Sequence, residues 1–242
     1  MEKESIIRKQ ARKALSGNWI PFISALMTVF TAIMAAYLIG VVLAFATGAD
    51  DEAAPEWLTF ICFLTMTVAL MILSPLKNGF MRMCYKRTLG NRADYSEMFF
   101  YFRSKSSYAR ALHFNVMLFM RFAVYCVLCM LPNIICAIFI GQGILYSVLF
   151  GLGTAGLIVL SNGLIIREFT FADSDIASVE ETNRLASKIN RSHRLDLLAL
   201  TYSFIPWLAL CFFVLPVLYV MPYFFEAHAV SAKWLIKLHK EG

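Results

Sequence analysis

Residues 122–166 read FAVYCVLCMLPNIICAIFIGQGILYSVLFGLGTAGLIVLSNGLII, and these 45 residues between Arg121 and Arg167 contain no charged side chain. A helix needs about 20 apolar residues to cross the hydrocarbon core of a bilayer, so the stretch is long enough for two crossings. A buried helix of a soluble protein is much shorter than this. The stretch therefore predicts a transmembrane helical hairpin.

Other charge-free stretches extend this pattern along the chain. Residues 14–49, 57–76 and 197–225 contain no Asp, Glu, Lys or Arg. No Pro-, Gly- or Ser-rich linker divides the chain, which favours a single integral membrane domain over residues 1–242. We expect an all-α, polytopic transmembrane helix bundle of about six spans with short amphipathic cytoplasmic helices. The predicted spans are 19–46, 57–76, 111–137, 144–166, 197–214 and 216–235.

Three of these spans have competing interpretations. Residues 214–216 would have to form a very tight turn between spans five and six, and one long span ending near Met221 is the alternative. Span one could instead be a cleavable signal peptide, since Ala44 and Ala46 have cleavage-site spacing. Its apolar stretch is about twice the length of a signal core, which favours a retained anchor.

The overall composition also indicates lipid as the solvent. The chain is 60% hydrophobic and 16% charged, whereas soluble domains are about 45–50% apolar and about 25% charged. The net charge of +6 fits basic loops that lie against anionic lipid better than nucleic-acid binding. The expected partners are therefore the bilayer and its anionic lipids, with no nucleic acid.

The distribution of basic residues predicts the orientation. With six spans, all basic residues except Arg121 fall on one side of the membrane, and the opposite side carries Asp50, Asp51, Glu52 and Glu56. The positive-inside rule then places both termini in the cytoplasm. A five-span chain would put the basic C-terminal segment outside, so six spans are favoured.

Three further segments predict helices at the cytoplasmic face. Residues 4–16 have an apolar side opposite Arg and Lys, and residues 178–190 open with the capping-box spacing of Ser178 and Glu181. Residues 95–102, YSEMFFYF, are aromatic enough for a membrane interface. An ordinary amphipathic helix docked on the bundle or the lipid explains each of them.

Residues 151–156 read GLGTAG and match the dinucleotide-binding pattern G-x-G-x-x-G. That site needs a soluble strand–turn–helix unit and an acidic residue about 20 positions later, and neither fits a charge-free stretch. Small residues instead allow close approach of transmembrane helices. We therefore expect helix packing at Gly151, Gly153, Ala155 and Gly156.

The sequence offers no pattern for catalysis, a metal or a cofactor. The six cysteines lie in or beside apolar runs, where Cys is usually a small packing residue, so no disulfide framework or metal site is expected. No catalytic triad, zinc-protease motif, phosphate-binding loop or spaced carboxylate pair is present. The sequence therefore predicts a protein that is not an enzyme and needs no cofactor, with an intramembrane enzyme as the alternative.

Arg121 and Glu226 are charges within predicted spans, and such residues usually face a bundle interior and find partners. At 1.5 Å per residue, Arg121 lies about 15 Å and Glu226 about 13 Å from the same face. We hypothesise an ion pair, with His228, Asn133 and Asn162 as further members of an intramembrane polar cluster. The alternatives are a purely structural lock, a protonated Glu226 without Arg121, and side chains that extend to the interface.

Four segments resemble a known family in the same order along the chain. They are RKQARKALSGNW (8–19), SPLKNGFMRMCYKRTLGNRADYSEMFFYF (74–102), SVEETNRLASKINRSHRLDLLALTYSFIPW (178–207) and PYFFEA (222–227). They resemble the bacterial integral-membrane family named domain of unknown function 975. The resemblance implies an all-helical, multi-pass protein of the plasma membrane, and it transfers no catalytic residues.

Two classes of function fit these features. The first is a permease-like or channel-like protein for a small solute or lipid, with Arg121 and Glu226 lining the route, and it is weakly favoured. The second is a non-transporting scaffold or assembly protein that uses its basic loops as contact surface. A hydrated cavity that reaches Arg121 and Glu226 favours the first class, whereas a dry packed core favours the second.

Overall fold

The computed structural model describes residues 2–48, 55–90, 94–139, 141, 143–173, 178–211 and 214–241, and every regular element in these ranges is helical. The all-α fold class is thus confirmed. The acidic residues Asp50, Asp51 and Glu52 lie outside the described ranges. The helices are α1 (Glu2–Leu15), α2 (Trp19–Thr47), α3 (Glu56–Leu73), α4 (Pro75–Thr88), the 3-10 helix (Tyr95–Phe102), α5 (Lys105–Phe139), α6 (Ile144–Asp173), α7 (Val179–Tyr202), α8 (Ile205–Leu210) and α9 (Val214–Glu241).

Four helices in the described ranges are long and apolar enough to cross a membrane. They are Trp19–Thr47, the continuous pair α3 and α4 over Glu56–Thr88, Lys105–Phe139 and Ile144–Asp173. Within the most apolar part of each helix, at most 11% of the residues are buried. Such unburied apolar faces are stable against lipid and not against water.

The four helices form two hairpins. The first pairs α2 with α3, and the left-handed Gly48 (φ 70°) ends α2 by donating its N–H to carbonyls of the last turn. The second pairs α5 with α6, with Pro132 inside α5. The first four predicted spans therefore correspond to these helices, although each helix differs in its bounds.

A packed layer, here called the base, lies at the end of the hairpins where α2 begins and α4 and α6 end. It is built from α1, α4, the 3-10 helix, the first turns of α5, the last turns of α6, and α7 and α9. Its buried apolar core includes Leu15, Phe80, Met83, Met98, Phe114, Phe169, Phe171, Ile189, Leu200 and Ala232. The N-terminal and C-terminal helices α1 and α9 pack against each other there.

The predicted spans 197–214 and 216–235 are not among the four helices. Helix α7 ends at Tyr202, α8 has only six residues, and α9 begins at Val214. The uncharged part of α9 before Glu226 is about 18 Å long, whereas the hydrocarbon core is about 30 Å thick. The count of six spans is therefore not confirmed, and neither is the alternative of one long span ending near Met221.

The predicted short helices form, but as parts of the base. The capping box of α7 is confirmed, because Ser178 and Glu181 exchange hydrogen bonds of 3.1 Å between side chain and backbone in both directions. Residues 95–102 form the 3-10 helix, which packs on α4. Whether α1 or α7 also contacts a membrane surface stays a prediction.

Candidate functional site

The contact between α4 and the 3-10 helix depends on a glycine. A Cβ atom at Gly79 would lie 1.8 Å from the backbone oxygen of Met98, so only glycine lets the two backbones approach this closely. Gly79 is buried in α4 three residues before Arg82. The segment Pro75–Arg82 thus combines a close backbone contact with a buried cation on the same helix.

Arg82 joins α4 to the 3-10 helix electrostatically. Its Nε donates a 2.9 Å hydrogen bond to Glu97 Oε2, and Lys86 Nζ lies 3.1 Å from the same oxygen. The Arg82 guanidinium also lies 3.6 Å from the centre of the Phe100 ring. Burial favours a higher pKa for Glu97, but the hydrogen bonds from Arg82 and Lys86 outweigh it and lower that pKa.

Two further ion pairs connect the base. Lys77 Nζ of α4 lies 2.6 Å from Glu168 Oε1 of α6. The Tyr85 hydroxyl donates to Asp173, which also binds Lys240 of α9. The basic residues after span two, expected in a loop, therefore lie on a helix that continues into the base and pairs with acids on two other helices.

Asn162 and His228, two of the predicted cluster residues, are brought together by Thr201, which the sequence analysis did not identify. The Thr201 hydroxyl of α7 donates a 2.6 Å hydrogen bond to Asn162 Oδ1 and lies 3.3 Å from His228 Nε2. Burial lowers the pKa of His228, which lies in α9 outside the four long apolar helices, to about 4. His228 is therefore neutral near pH 7 and serves as a hydrogen-bonding group between α7 and α9.

Glu226 is a buried acid of the base. Its exposed fraction is 0%, and neither carboxylate oxygen has a hydrogen-bond partner among the described residues. Tyr219 stacks on Trp19 at the start of α2, and Lys233 contacts Thr88 at the end of α4. Glu226 lies between these two contacts along α9, about 10 Å beyond Tyr219 on the base side.

The protonation of Glu226 follows from this position. Burial raises the pKa of Glu226 to about 8, and the positive charge of Arg87 offsets only part of that effect. A buried carboxyl group without a hydrogen-bond partner is favoured in its neutral form. Glu226 is thus protonated near pH 7, as one of the alternatives to the ion pair predicted.

The hypothesised ion pair between Arg121 and Glu226 is not formed. The Arg121 guanidinium lies 4.0 Å from Met117 Sδ on its own helix, and Glu226 packs in the base within reach of the Arg87 charge. Equal depth was inferred from a sixth span, and α9 is not among the four long apolar helices of the described ranges. Helix α9 instead packs mainly on α1 and α4, whereas α5 packs mainly on α6.

Asn133 does not join the cluster. It is buried in α5 well beyond Arg121 in the direction away from the base, and its Oδ1 has no partner in the part of the chain that the structure describes. In the base itself, Arg167 Nη1 donates a 3.0 Å hydrogen bond to Asn183 Oδ1.

The close approach of α5 and α6 uses two of the four predicted packing residues. A Cβ at Gly153 would lie 2.5 Å from the Cys129 carbonyl oxygen, and one at Gly156 would lie 3.4 Å from the Cys129 sulfur. Gly151 has open space around its Cβ position, and Ala155 is exposed. The contact face therefore has the spacing Gly-x-x-Gly, and Gly151 and Ala155 take no part in it.

No protein-family model, curated protein or solved structure matches this chain. The resemblance to domain of unknown function 975 therefore stays a prediction.

Within the described ranges, no group of three or more His, Cys, Asp or Glu side chains has a geometry that could hold a metal ion. The polar contacts of the base join helices. Among the described residues, Glu226 is the one fully buried carboxyl group of the base that has no hydrogen-bond partner.

Proposed function

We propose that this protein is a non-transporting membrane assembly protein, whose two hairpins offer their outer faces to other transmembrane helices. The observation that carries the proposal is the small buried share of the four long helices, at most 11% in their most apolar parts. A protein that conducts a solute needs helices that enclose a route. Here each hairpin packs within itself, and large side chains such as Phe63 (61% exposed) and Leu128 (61% exposed) face outward.

The base supports the same proposal. Its ion pairs join different helices, and Glu226 is fully buried in its core. The cavity of about 430 Å³ between α1, α4 and α9 is lined by neither Arg121 nor Glu226. We infer that the buried polar groups fix the relative position of helices, as structural locks do.

The proposed orientation places the base in the cytoplasm of a plasma-membrane protein. Basic residues are concentrated in and around the base, and the positive-inside rule assigns such a face to the cytoplasm. Both terminal helices belong to the base. Anionic lipid at the inner leaflet would then lie beside Arg and Lys side chains at its edge.

Site-specific photocrosslinking in native membranes tests the proposal. A photoreactive amino acid at Phe63 or Leu128 is expected to give discrete protein–protein products, because these faces contact other helices. The matched control is Ala36, which is buried inside the first hairpin and is expected to give none. Products with lipid alone at both exposed positions would contradict an assembly role.

The permease-like alternative has its own readout in the same protein. It is favoured by the buried, protonatable Glu226, a type of group that often marks proton or solute routes in membranes. Proteoliposomes would then show solute release or proton flux above protein-free liposomes, and Glu226→Gln would abolish it. The assembly role predicts no flux from either the unmodified protein or this variant.

A further inference from the structure

Two arginines lie close together where α5 and α6 enter the base. Arg167 Nη1 donates a 3.0 Å hydrogen bond to Asn183 Oδ1, and the amide nitrogen of Asn183 contacts Met117 Sδ. The Arg121 guanidinium lies 4.0 Å from the same sulfur, and the two positive charges are near enough to repel each other. We call Arg121 and Arg167 the arginine pair.

Among the described residues, neither member of the arginine pair forms an ion pair with an acid. The side-chain hydrogen bonds of Arg167 go to two oxygen atoms of Asn183, and the adjacent acid Glu168 pairs with Lys77 instead. Arg167 is 5% exposed, and its Nε has no hydrogen-bond partner in the described part of the chain. A buried cation without an anion is unfavourable, so this arrangement favours an anion from outside the chain.

The arginine pair lies at the depth of lipid headgroups. The 18 residues of α5 after Arg121 and the first 23 residues of α6 before Arg167 carry no charge. These segments are about 27 Å and 34 Å long, whereas the hydrocarbon core of a bilayer is about 30 Å thick. Both arginines therefore mark the boundary between hydrocarbon and headgroups on the side of the base.

The surface of α5 beside the arginine pair suits a lipid molecule. Met120 is 58% exposed and Val124 is 52% exposed, so acyl chains can lie against this part of the helix. Tyr125 follows Arg121 by about one turn, is half-buried and lies near the charge of Arg167. Tyrosine is enriched at this depth because its ring lies in hydrocarbon while its hydroxyl reaches the headgroups.

We propose that the arginine pair binds the phosphate group of an anionic phospholipid in the leaflet beside the base. Guanidinium groups bind phosphate oxygens through paired N–H donors, and the Tyr125 hydroxyl donates one more hydrogen bond. The acyl chains lie on α5 at Met120 and Val124. The proposal rests on the placement of α5 and α6 across the membrane and not on assembly, so photocrosslinking at Phe63 and Leu128 tests a separate claim.

Native mass spectrometry of the full chain in a neutral detergent tests the site with phosphatidylglycerol and phosphatidylcholine as probes. One phosphatidylglycerol molecule should bind about tenfold or more tightly than phosphatidylcholine, because only the first carries a net negative charge. Arg121→Gln should lower the phosphatidylglycerol affinity by about tenfold, since it removes a charge-assisted contact. Arg121→Lys keeps the charge without the paired donors and should give an intermediate affinity. An unchanged melting temperature checks that the base of each variant remains folded.

A matched variant and a soluble competitor complete the test. Arg191→Gln removes an exposed arginine of α7 and should change the affinity by no more than about twofold. Glycerol 1-phosphate carries the same phosphate group without acyl chains, and at millimolar concentration it should not displace the lipid. The proposal is overturned if the two lipids bind equally or if Arg121→Gln and Arg191→Gln weaken binding to the same extent. Displacement by glycerol 1-phosphate would assign the site to a soluble phosphate and also overturn it.

Discussion

Gly79→Ala is the substitution that tests the packing of the base most directly. Its new Cβ would lie 1.8 Å from the oxygen, 2.6 Å from the carbonyl carbon and 2.8 Å from the Cα of Met98. All three are backbone atoms, so no side-chain rotation relieves the overlap. The 3-10 helix must move away from α4, and Glu97 and Phe100 move with it from Arg82.

The expected loss of stability follows from three contributions. Overpacking a core typically costs about 1–3 kcal/mol, and loss of the hydrogen bond from Arg82 to Glu97 adds about 1.5–3 kcal/mol. Replacing glycine by alanine inside a helix returns about 1 kcal/mol. The net loss is about 3 kcal/mol, which corresponds to a fall in melting temperature of about 6–12 °C for a chain of this size.

The measurement is thermal unfolding in detergent, followed by size-exclusion chromatography with fluorescence detection. Gly151→Ala is the matched control, because its Cβ would meet nothing within 4 Å in the same kind of helix. It should melt at the same temperature as the unmodified protein or slightly above it. A Gly79→Ala protein that melts within about 2 °C of the unmodified protein would refute the tight contact between α4 and the 3-10 helix.

Three other substitutions test single interactions by the same assay. Ser178→Ala removes the capping box of α7 and should lower the free energy of unfolding by about 1 kcal/mol; no change would show that the helix start is held by packing alone. The pKa of Glu226 is raised on folding, so the stabilising effect of its proton is full below about pH 4.5 and is lost as the pH rises towards about 8. Glu226→Gln should remove this decline of roughly 1.4 kcal/mol per pH unit, and an unchanged pH profile would place the carboxyl in contact with water. The pKa of Glu97 is lowered on folding, so its contribution to the free energy of unfolding is present above the ordinary pKa and is lost as the pH falls through the folded value. Glu97→Gln should therefore reduce the loss of stability at acidic pH. An unaltered loss would mean that the pairs of Glu97 with Arg82 and Lys86 do not stabilise the base.

The long apolar helices could be predicted from sequence because the signal is local. A charge-free stretch shows directly where a chain can lie in lipid, and the predicted span 19–46 differs from α2 by about one residue. The hairpin of α5 and α6 follows equally from residues 122–166. No information about distant parts of the chain was needed for either prediction.

The base could not be predicted because its charges are paired over long distances in sequence. Arg82 meets Glu97 after 15 residues, and Lys77 meets Glu168 after 91. Charge spacing alone assigned the residues after span two to a loop, whereas these pairs let α4 continue as a helix. The depth of Glu226 was predicted from the charge-free residues 197–225, whose sequence does not show that α7 ends at Tyr202 and that α9 begins only at Val214.

Four helices of the described ranges are long and apolar enough to cross the membrane, and we propose that α7, α8 and α9 stay on the side of the base without crossing. Cys211 lies at the turn between α8 and α9, and it can be kept as the single cysteine of an otherwise cysteine-free chain. A membrane-impermeant maleimide applied from the side opposite Lys188 and Lys237 should leave Cys211 unlabelled, while a cysteine at Glu56 should react. Labelling of Cys211 from that opposite side would establish two further crossings and contradict the account.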